Sequence, residues 1–108
     1  MFTLYSETKK TDLGMGVSRR ILAEDTDMMA VEVSFEEGAV GAMHSHPHVQ
    51  ISYVLKGEFE ATIGEETKTI REGDTYYTHP GVPHGVVCKK AGKLLDIFTP
   101  RRDDFLAK

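Results

Sequence analysis

Alternation of apolar and polar residues runs through most of this chain and limits its fold more than any other feature. In VEVSF (31–35) every second residue is apolar, and EFEATI (58–63) repeats the pattern. A period of two is typical of half-buried strands. Short turn signals separate such runs and predict antiparallel hairpins; they lie at EEG (36–38), KG (56–57), GEE (64–66), EGD (72–74) and KKAGK (89–93).

Helical periodicity is nearly absent. The tail RRDDFLAK (101–108) predicts a turn or two of helix, and the first ten residues predict an edge strand or an arm. A chain of 108 residues fits one compact domain. Many short strands in such a domain avoid exposed edges by closing into a barrel or a double-sheet jelly roll. The prediction is therefore an all-β, single-domain barrel of antiparallel strands, whose inward positions can line a pocket.

Composition excludes several classes of function. The net charge of -4 leaves no basic face for nucleic acid. No apolar run approaches the ~20 residues that a membrane span requires. Cys88 is the single cysteine, so an intrachain disulfide is excluded. The start MFTLYSETKK lacks the apolar core of a signal peptide, so the expected compartment is the cytoplasm.

A histidine cluster in GAMHSHPHVQ (41–50) raises the possibility of a metal site. His44 and His46 are one residue apart, so an extended strand points both to one side, where their nitrogens reach an ion at ~2.0–2.2 Å. Gln50 has the same parity, and His84 follows in a second stretch, THPGVPHGVV. These four are the candidate ligands of one divalent transition metal ion. His48 follows a proline, which leaves its direction open.

Taken alone, two histidines separated by one residue are as often a surface feature as a metal site. The wider spacing, however, resembles the two motifs of the cupin superfamily. The first motif covers 38–57 and the second 73–88; the residues at their motif positions are Gly38, His44, His46, Gln50 and Gly57, then Gly73, His79, Pro80, Gly81, His84 and Cys88. The chain departs from the family at Gln50, His79 and Cys88, where Glu, Pro and Asn are usual. The resemblance implies one cupin domain over residues 1–108.

The glutamine in the ligand set has a chemical consequence. With Gln50 in place of a carboxylate, all four protein ligands are neutral, and a divalent ion keeps its full positive charge. A site of this kind is better suited to polarising a carbonyl or hydroxyl group than to stabilising oxidised iron. Zinc, nickel, manganese, iron and cobalt all accept imidazole, so the pattern does not choose among them.

The last predicted strand carries an acidic residue between apolar ones. In LLDIFTPRRDDF the alternation places Leu94, Asp96 and Phe98 on one face. If that face points inward, Asp96 is a buried carboxylate near the metal and a candidate acid/base group. The alternatives are an outward face or a structural pair with Arg101 or Arg102. Arg102 in turn either binds a substrate carboxylate or is a solvated tail residue.

A closer resemblance covers most of the chain. The small size, the EEGAVGAMHSHPHVQ segment, the glutamine in the ligand set and the ending DIFTPRRDDFL are similar to the KdgF family of cupins. That family acts on unsaturated monouronates from pectin and alginate breakdown, opening the ring and yielding the linear ketone. The resemblance implies a small anionic sugar-acid substrate and a homodimer. It also implies that Asp96 moves the proton, Arg102 holds the carboxylate and Phe98 forms the wall.

Two other functions remain open at this point, namely a non-catalytic cupin that binds metal or sugar, and a cupin dioxygenase. Several further side chains also have two interpretations. His48 and His79 are pocket groups or surface residues, Cys88 is an inert buried thiol or a nucleophile, and one of Tyr76 and Tyr77 and one of Arg19 and Arg20 can face inward.

Overall fold

The computed structural model describes residues 1–106, which form eight β-strands and very little helix. The strands are β1 (Lys10–Gly14), β2 (Val17–Asp25), β3 (Met28–Phe35), β4 (Val40–His44), β5 (Val49–Ile63), β6 (Glu66–Arg71), β7 (Thr75–Thr78) and β8 (His84–Thr99). A 3-10 turn at Tyr5–Glu7 precedes them, and helix α1 (Asp103–Leu106) follows. The prediction of an all-β fold is confirmed; the last two residues of the predicted tail helix lie outside the described residues.

All strand pairs are antiparallel, and two long strands organise them. The order is β1-β2-β3-β8-β5-β6, with β4 pairing β8 and β7 pairing β5. The first half of β5 pairs with β7 and its second half with β6. The first half of β8 pairs with β4 and its last half with β3, and β5 and β8 also pair with each other. Both long strands therefore contribute to both halves of the barrel. β1 lies at a sheet edge, where it pairs with β2. The predicted edge strand over the first ten residues is wrong, because β1 shares only Lys10 with that segment, which otherwise holds the 3-10 turn.

The predicted turns at 56–57 and 89–93 are wrong, because both segments lie inside continuous strands, β5 and β8. Gly57 has a φ of 87°, and a Cβ there would lie 2.5 Å from the backbone oxygen of Lys90. A Cβ on Gly92 would likewise collide with the backbone of Lys56. These glycines permit close approach of two strands at a bulge. The predicted turns at 36–38 and 72–74 do lie between strands, and the one at 64–66 joins β5 to β6.

Apolar side chains of alternate residues fill the interior. As predicted, Val31 and Phe35 are buried from β3, and Phe59 and Ala61 from β5. On β8 the inward face carries both apolar and polar residues; the buried members are His84, Val86, Cys88, Leu94 and Phe98. Buried polar residues on an inward face mark a site rather than a core. Among the described residues, no helix has the length and hydropathy of a membrane span.

Candidate metal centre and active site

Three histidines converge at one end of the barrel. His44 ends β4 and lies opposite His84, the first residue of β8, in the strand pairing. His46 lies in the loop after β4, where its backbone oxygen accepts a hydrogen bond of 2.8 Å from the Gly81 amide. One ligand nitrogen from each ring lies within 4.8 Å of the others. The three histidines are therefore positioned to bind one metal ion.

Backbone contacts determine which nitrogen of each ring faces the centre. Carbonyl oxygens accept from Nδ1 of His44 and of His84 at 2.9 Å, and from Nδ1 of His46 at 3.2 Å. Because a carbonyl has no proton, each Nδ1 must be the donor, and a neutral ring then carries a lone pair on Nε2. This outer hydrogen bond is the usual partner of a metal-binding imidazole.

Gln50 adds a fourth candidate metal-ligand atom to this centre. Its Oε1 lies 2.9 Å from His46 Nε2 and 3.0 Å from His84 Nε2. Its amide nitrogen points away and donates to Ser52 Oγ at 2.9 Å, so Oε1 has no proton to offer either ring. Three acceptor atoms therefore meet at contact distance. A cation satisfies all three at once, and the donor set fits a divalent transition metal.

Electrostatics favours neutral rings at this centre. Burial lowers the pKa of His84, and the charges of His44 and His46 act in the same direction. Burial also lowers the pKa of His46, against the opposing hydrogen bond with Gln50. Metal ligation requires the unprotonated imidazole nitrogen, so both effects favour the ligating form.

A hydrogen-bond chain joins the ligand set to a carboxylate. Ser52 is fully buried; its hydroxyl accepts from Gln50 Nε2 and donates to Asp96 Oδ1 at 2.6 Å. Gln50 and Ser52 share the inward face of β5, and Asp96 lies opposite Ser52 on β8. Asp96 therefore lies on the pocket face, where it is bonded to Ser52. Asp96 does not form the alternative structural pair with Arg101 or Arg102. Arg101 instead bonds to Glu24 and Asp103, and Arg102 bonds to Asp104.

The environment of Asp96 stabilises its protonated form. Burial raises the pKa of Asp96 from 3.8 to about 6, although the Ser52 hydroxyl and the charges of His44 and Arg102 act against it. Its accessible part lines the pocket. A carboxyl group with a pKa near neutrality can both accept and return a proton at physiological pH. Burial, with help from the Asp96 charge, also raises the pKa of the Tyr76 hydroxyl on the same pocket.

The pocket has a volume of about 250 Å³ and is lined by His44, Gln50, His84, Asp96, Phe98 and Arg102, together with Arg19, Tyr76 and Phe105. Phe98 is 2% exposed, and its ring lies edge-to-face against His46 at 5.7 Å. Arg102 is 8% exposed, so it is not the solvated tail residue considered above. The Arg102 guanidinium binds the Asp104 carboxylate through Nε at 3.0 Å and Nη2 at 2.9 Å. One pocket therefore joins the candidate metal ligands to a carboxylate and an arginine.

The structure also places the side chains that the sequence left open. His79 is exposed and its ring lies tilted against that of Tyr77 outside the pocket, while Tyr76 lines the pocket. The His48 ring lies 5.4 Å from that of His46 but is not among the converging ligands. Cys88 is buried, and burial raises the pKa of its thiol, as for an inert residue.

Sequence reasoning missed Ser52 and Phe105. Ser52 had a usable signal, since it is a polar residue two positions after Gln50 on the face that should be apolar. Phe105 had a weaker one, as a lone aromatic residue in a short charged tail.

Fold and site together define a cupin, a small barrel with a cluster of histidines at one end. A family model described as a cupin domain matches residues 31–98. The pectin degradation protein KdgF of Dickeya dadantii (strain 3937) is 42% identical over 102 residues, 93% of each chain. The chain belongs to the KdgF family of cupins.

Solved structures give the same assignment. The structure of KdgF from a Halomonas species superposes with a TM-score of 0.92 at 37% identity, covering 97% of this chain and 99% of that one. An RmlC-like cupin from Shewanella frigidimarina superposes with a TM-score of 0.93 at 39% identity, covering 96% of this chain and 94% of the other. The sequence-based assignments of fold and family are therefore confirmed.

Proposed function

We propose that the protein is a metal-dependent enzyme that opens the ring of 4,5-unsaturated monouronates and converts the product to the linear ketone. The observation that carries the proposal is the hydrogen-bond chain from Gln50 through Ser52 to Asp96, because it places a proton-accepting carboxylate beside the candidate metal ligands. The 42% identity to a pectin degradation protein supplies the substrate class. A cupin that only binds sugar has no need of such a carboxylate.

The proposed ligands are His44, His46, Gln50 and His84. A divalent ion bound there would supply Lewis acidity to a hydroxyl or carbonyl oxygen of the substrate. The backbone hydrogen bonds to the three Nδ1 atoms hold the rings in the orientation that this binding needs.

Asp96 carries the proton in this proposal. Its carboxylate accepts the proton of the C1 hydroxyl while the bond between C1 and the ring oxygen breaks, which leaves a carbonyl at C1 and an enolate at C5. Asp96 then delivers a proton to C4, and the enolate becomes a ketone. Substrate and product are isomers, so the step needs no external reactant. A pKa of about 6 makes both transfers accessible near neutral pH.

Arg102 and Phe98 position the substrate. Asp104 occupies Nε and Nη2 of Arg102, which orients the guanidinium and leaves Nη1 available for a substrate carboxylate. The Phe98 ring packs against Arg102, with 5.0 Å from the guanidinium carbon to the ring centre, and lines the pocket. Phe98 thereby forms an apolar wall against the face of the sugar.

The test follows the loss of the conjugated double-bond absorbance of a fresh unsaturated monouronate, with metal-loaded protein and a chelator-treated sample. We expect metal-dependent acceleration over the spontaneous reaction, and a loss of about 10²-fold or more in kcat for Asp96→Asn. Asp27→Asn, in the exposed turn between β2 and β3, is the matched control and should be fully active.

Each contrary result has a defined meaning. Full activity of Asp96→Asn removes the acid/base role. No acceleration by metal-loaded protein favours a binding module, and oxygen consumption in the presence of iron favours a dioxygenase.

The proposal extends to a homodimer in the cytoplasm. Cross-strand neighbours form an apolar patch on the outer face of the barrel, where Tyr77 pairs with Ile51 and Ile51 with Ile97, next to Tyr53. Ile51, Tyr53 and Tyr77 are 42–48% exposed, and a contiguous apolar patch of this kind suits a two-fold interface with a second copy. The free buried thiol of Cys88 suits a reducing compartment. Light scattering should give twice the chain mass for the wild type and the chain mass for Tyr53→Glu.

A further inference from the structure

Arg19 on β2 is a second arginine that lines the pocket, and the proposed reaction has not used it. Among residues 1–106, no acidic side chain forms an ion pair with its guanidinium within 4.0 Å. It is half-buried, and burial lowers its pKa; the charge of Arg102 lowers it further, while the charge of Asp104 opposes both. A cation removed from water and next to another cation is costly unless an anion is bound nearby.

The way Arg19 is held leaves its hydrogen-bond donors available. Its guanidinium carbon lies 3.8 Å from the centre of the Phe105 ring. Such a cation–π contact positions the guanidinium but uses none of its five N–H groups. The same ring also lies 4.2 Å from the guanidinium carbon of Arg102, so Phe105 supports both arginines at one wall of the pocket.

The two arginines differ in how far their charge is compensated. Asp104 binds two donors of Arg102 and lowers its own pKa by doing so. That ion pair neutralises one of the two positive charges. Asp104 also acts on Arg19, but the two arginines and this one carboxylate together keep one net positive charge. The free donors of Arg19 can offer that charge to a ligand, and a planar fork of donors matches a carboxylate.

We propose that Arg19 binds the carboxylate of the substrate directly, with Arg102 as the flanking contact, and that Arg19 sets the preference of the pocket for an anionic over a neutral sugar. The identity of the substrate rests on the proposed function. The anion site itself requires only that the ligand be a small carboxylate.

The neighbouring residue provides a matched control. Arg20 points to the other side of β2, where its Nη1 donates to the backbone oxygen of Thr8 at 3.2 Å. Its guanidinium carbon lies 4.9 Å from the centre of the Tyr5 ring. Arg19→Gln and Arg20→Gln therefore remove the same charge from adjacent positions, one at the pocket and one outside it.

The experiment measures, by calorimetry, the binding of galacturonate and of its neutral methyl ester to the zinc-loaded full-length protein. We expect the wild type to prefer galacturonate. We expect Arg19→Gln to weaken galacturonate binding about 10- to 100-fold and to change binding of the ester less than about twofold. Arg20→Gln should match the wild type for both, and Arg19→Lys should retain part of the preference. In turnover, Arg19→Gln should raise KM with little change in kcat.

A merely structural role of Arg19 gives a different result. If the arginine only packs on Phe105, Arg19→Gln weakens both ligands equally, and this outcome overturns the proposal. A wild type without preference for galacturonate overturns it as well. Absence of turnover together with an Arg19-dependent preference refutes the proposed reaction and supports the anion site.

Discussion

Replacing Asp96 by Asn should stabilise the metal-free protein at neutral pH. Burial raises the pKa of Asp96 from 3.8 to about 6, so the folded state binds this proton more tightly than the unfolded chain. The contribution of the group to stability is fully present below about pH 3.8 and is lost as pH rises through 6. At about 1.4 kcal/mol per pH unit, the ionised carboxylate costs about 3 kcal/mol at pH 7.5 and about 1 kcal/mol at pH 4.5.

Asparagine has nearly the same shape and can still accept the Ser52 hydrogen bond, but it carries no charge to bury. The free energy of unfolding of Asp96→Asn minus that of the wild type should therefore increase by about 2 kcal/mol between pH 4.5 and 7.5. Urea unfolding in the presence of a chelator measures it, with Asp27→Asn as the control. The metal-loaded protein should show a smaller difference, because a nearby cation favours the ionised carboxylate.

A difference that stays constant or falls with pH would refute this reasoning. Such a result would mean that the Ser52 hydroxyl and the nearby positive charges offset the burial of the carboxylate. Asp96 would then have an ordinary pKa, and its suitability as an acid/base group would have to rest on position alone.

Three further predictions concern other positions. Gln50→Glu adds a negative charge to the ligand set, so it should bind the metal more tightly in a chelator competition and lower kcat roughly tenfold; a higher kcat would contradict the Lewis-acid argument. Ser52→Ala breaks both links of the chain to Asp96 and should lower kcat roughly tenfold with the protein still folded by circular dichroism, whereas unchanged kcat would make the chain irrelevant. Gly57→Ala should cost more than about 3 kcal/mol in urea unfolding, and Gly38→Ala, with a similar φ but open space, about 1 kcal/mol; equal costs would show that the contact with Lys90 yields easily.

Strand alternation was sufficient to predict the fold and one face of the site. Leu94, Asp96 and Phe98 share the inward face of β8 because a strand alternates without interruption over that stretch. The predicted turns at 56–57 and 89–93 failed for a physical reason. Glycine permits both a turn and a close approach of two strands, and only the pairing of distant segments distinguishes the two.

Parity alone could not assign every pocket residue. Adjacent strand residues point to opposite sides, so one of Arg19 and Arg20, and one of Tyr76 and Tyr77, had to face inward. Alternation does not say which side of a strand is the inside. That choice depends on packing against the other strands, which places Arg19 and Tyr76 at the pocket. The convergence of the ligand atoms likewise depends on loop conformation, since His46 lies beyond the end of β4.

The bulge in β5 separates two halves of one strand that obey opposite parity. Before it the even-numbered Gln50 and Ser52 point inward, and after it the odd-numbered Phe59 and Ala61 do, while the buried residues of β8 are even-numbered on both sides of the bulge. Five steps along β5, from Val54 to Phe59, lie opposite six along β8, from Leu94 to Cys88, so the bulge acts as a phase correction between a chemical half and a packing half. If β5 alternated strictly through this segment, Gln50 and Ser52 would keep the chemistry in phase but Phe59 and Ala61 would turn to solvent, whereas substitutions within either half leave the phase of the other unchanged.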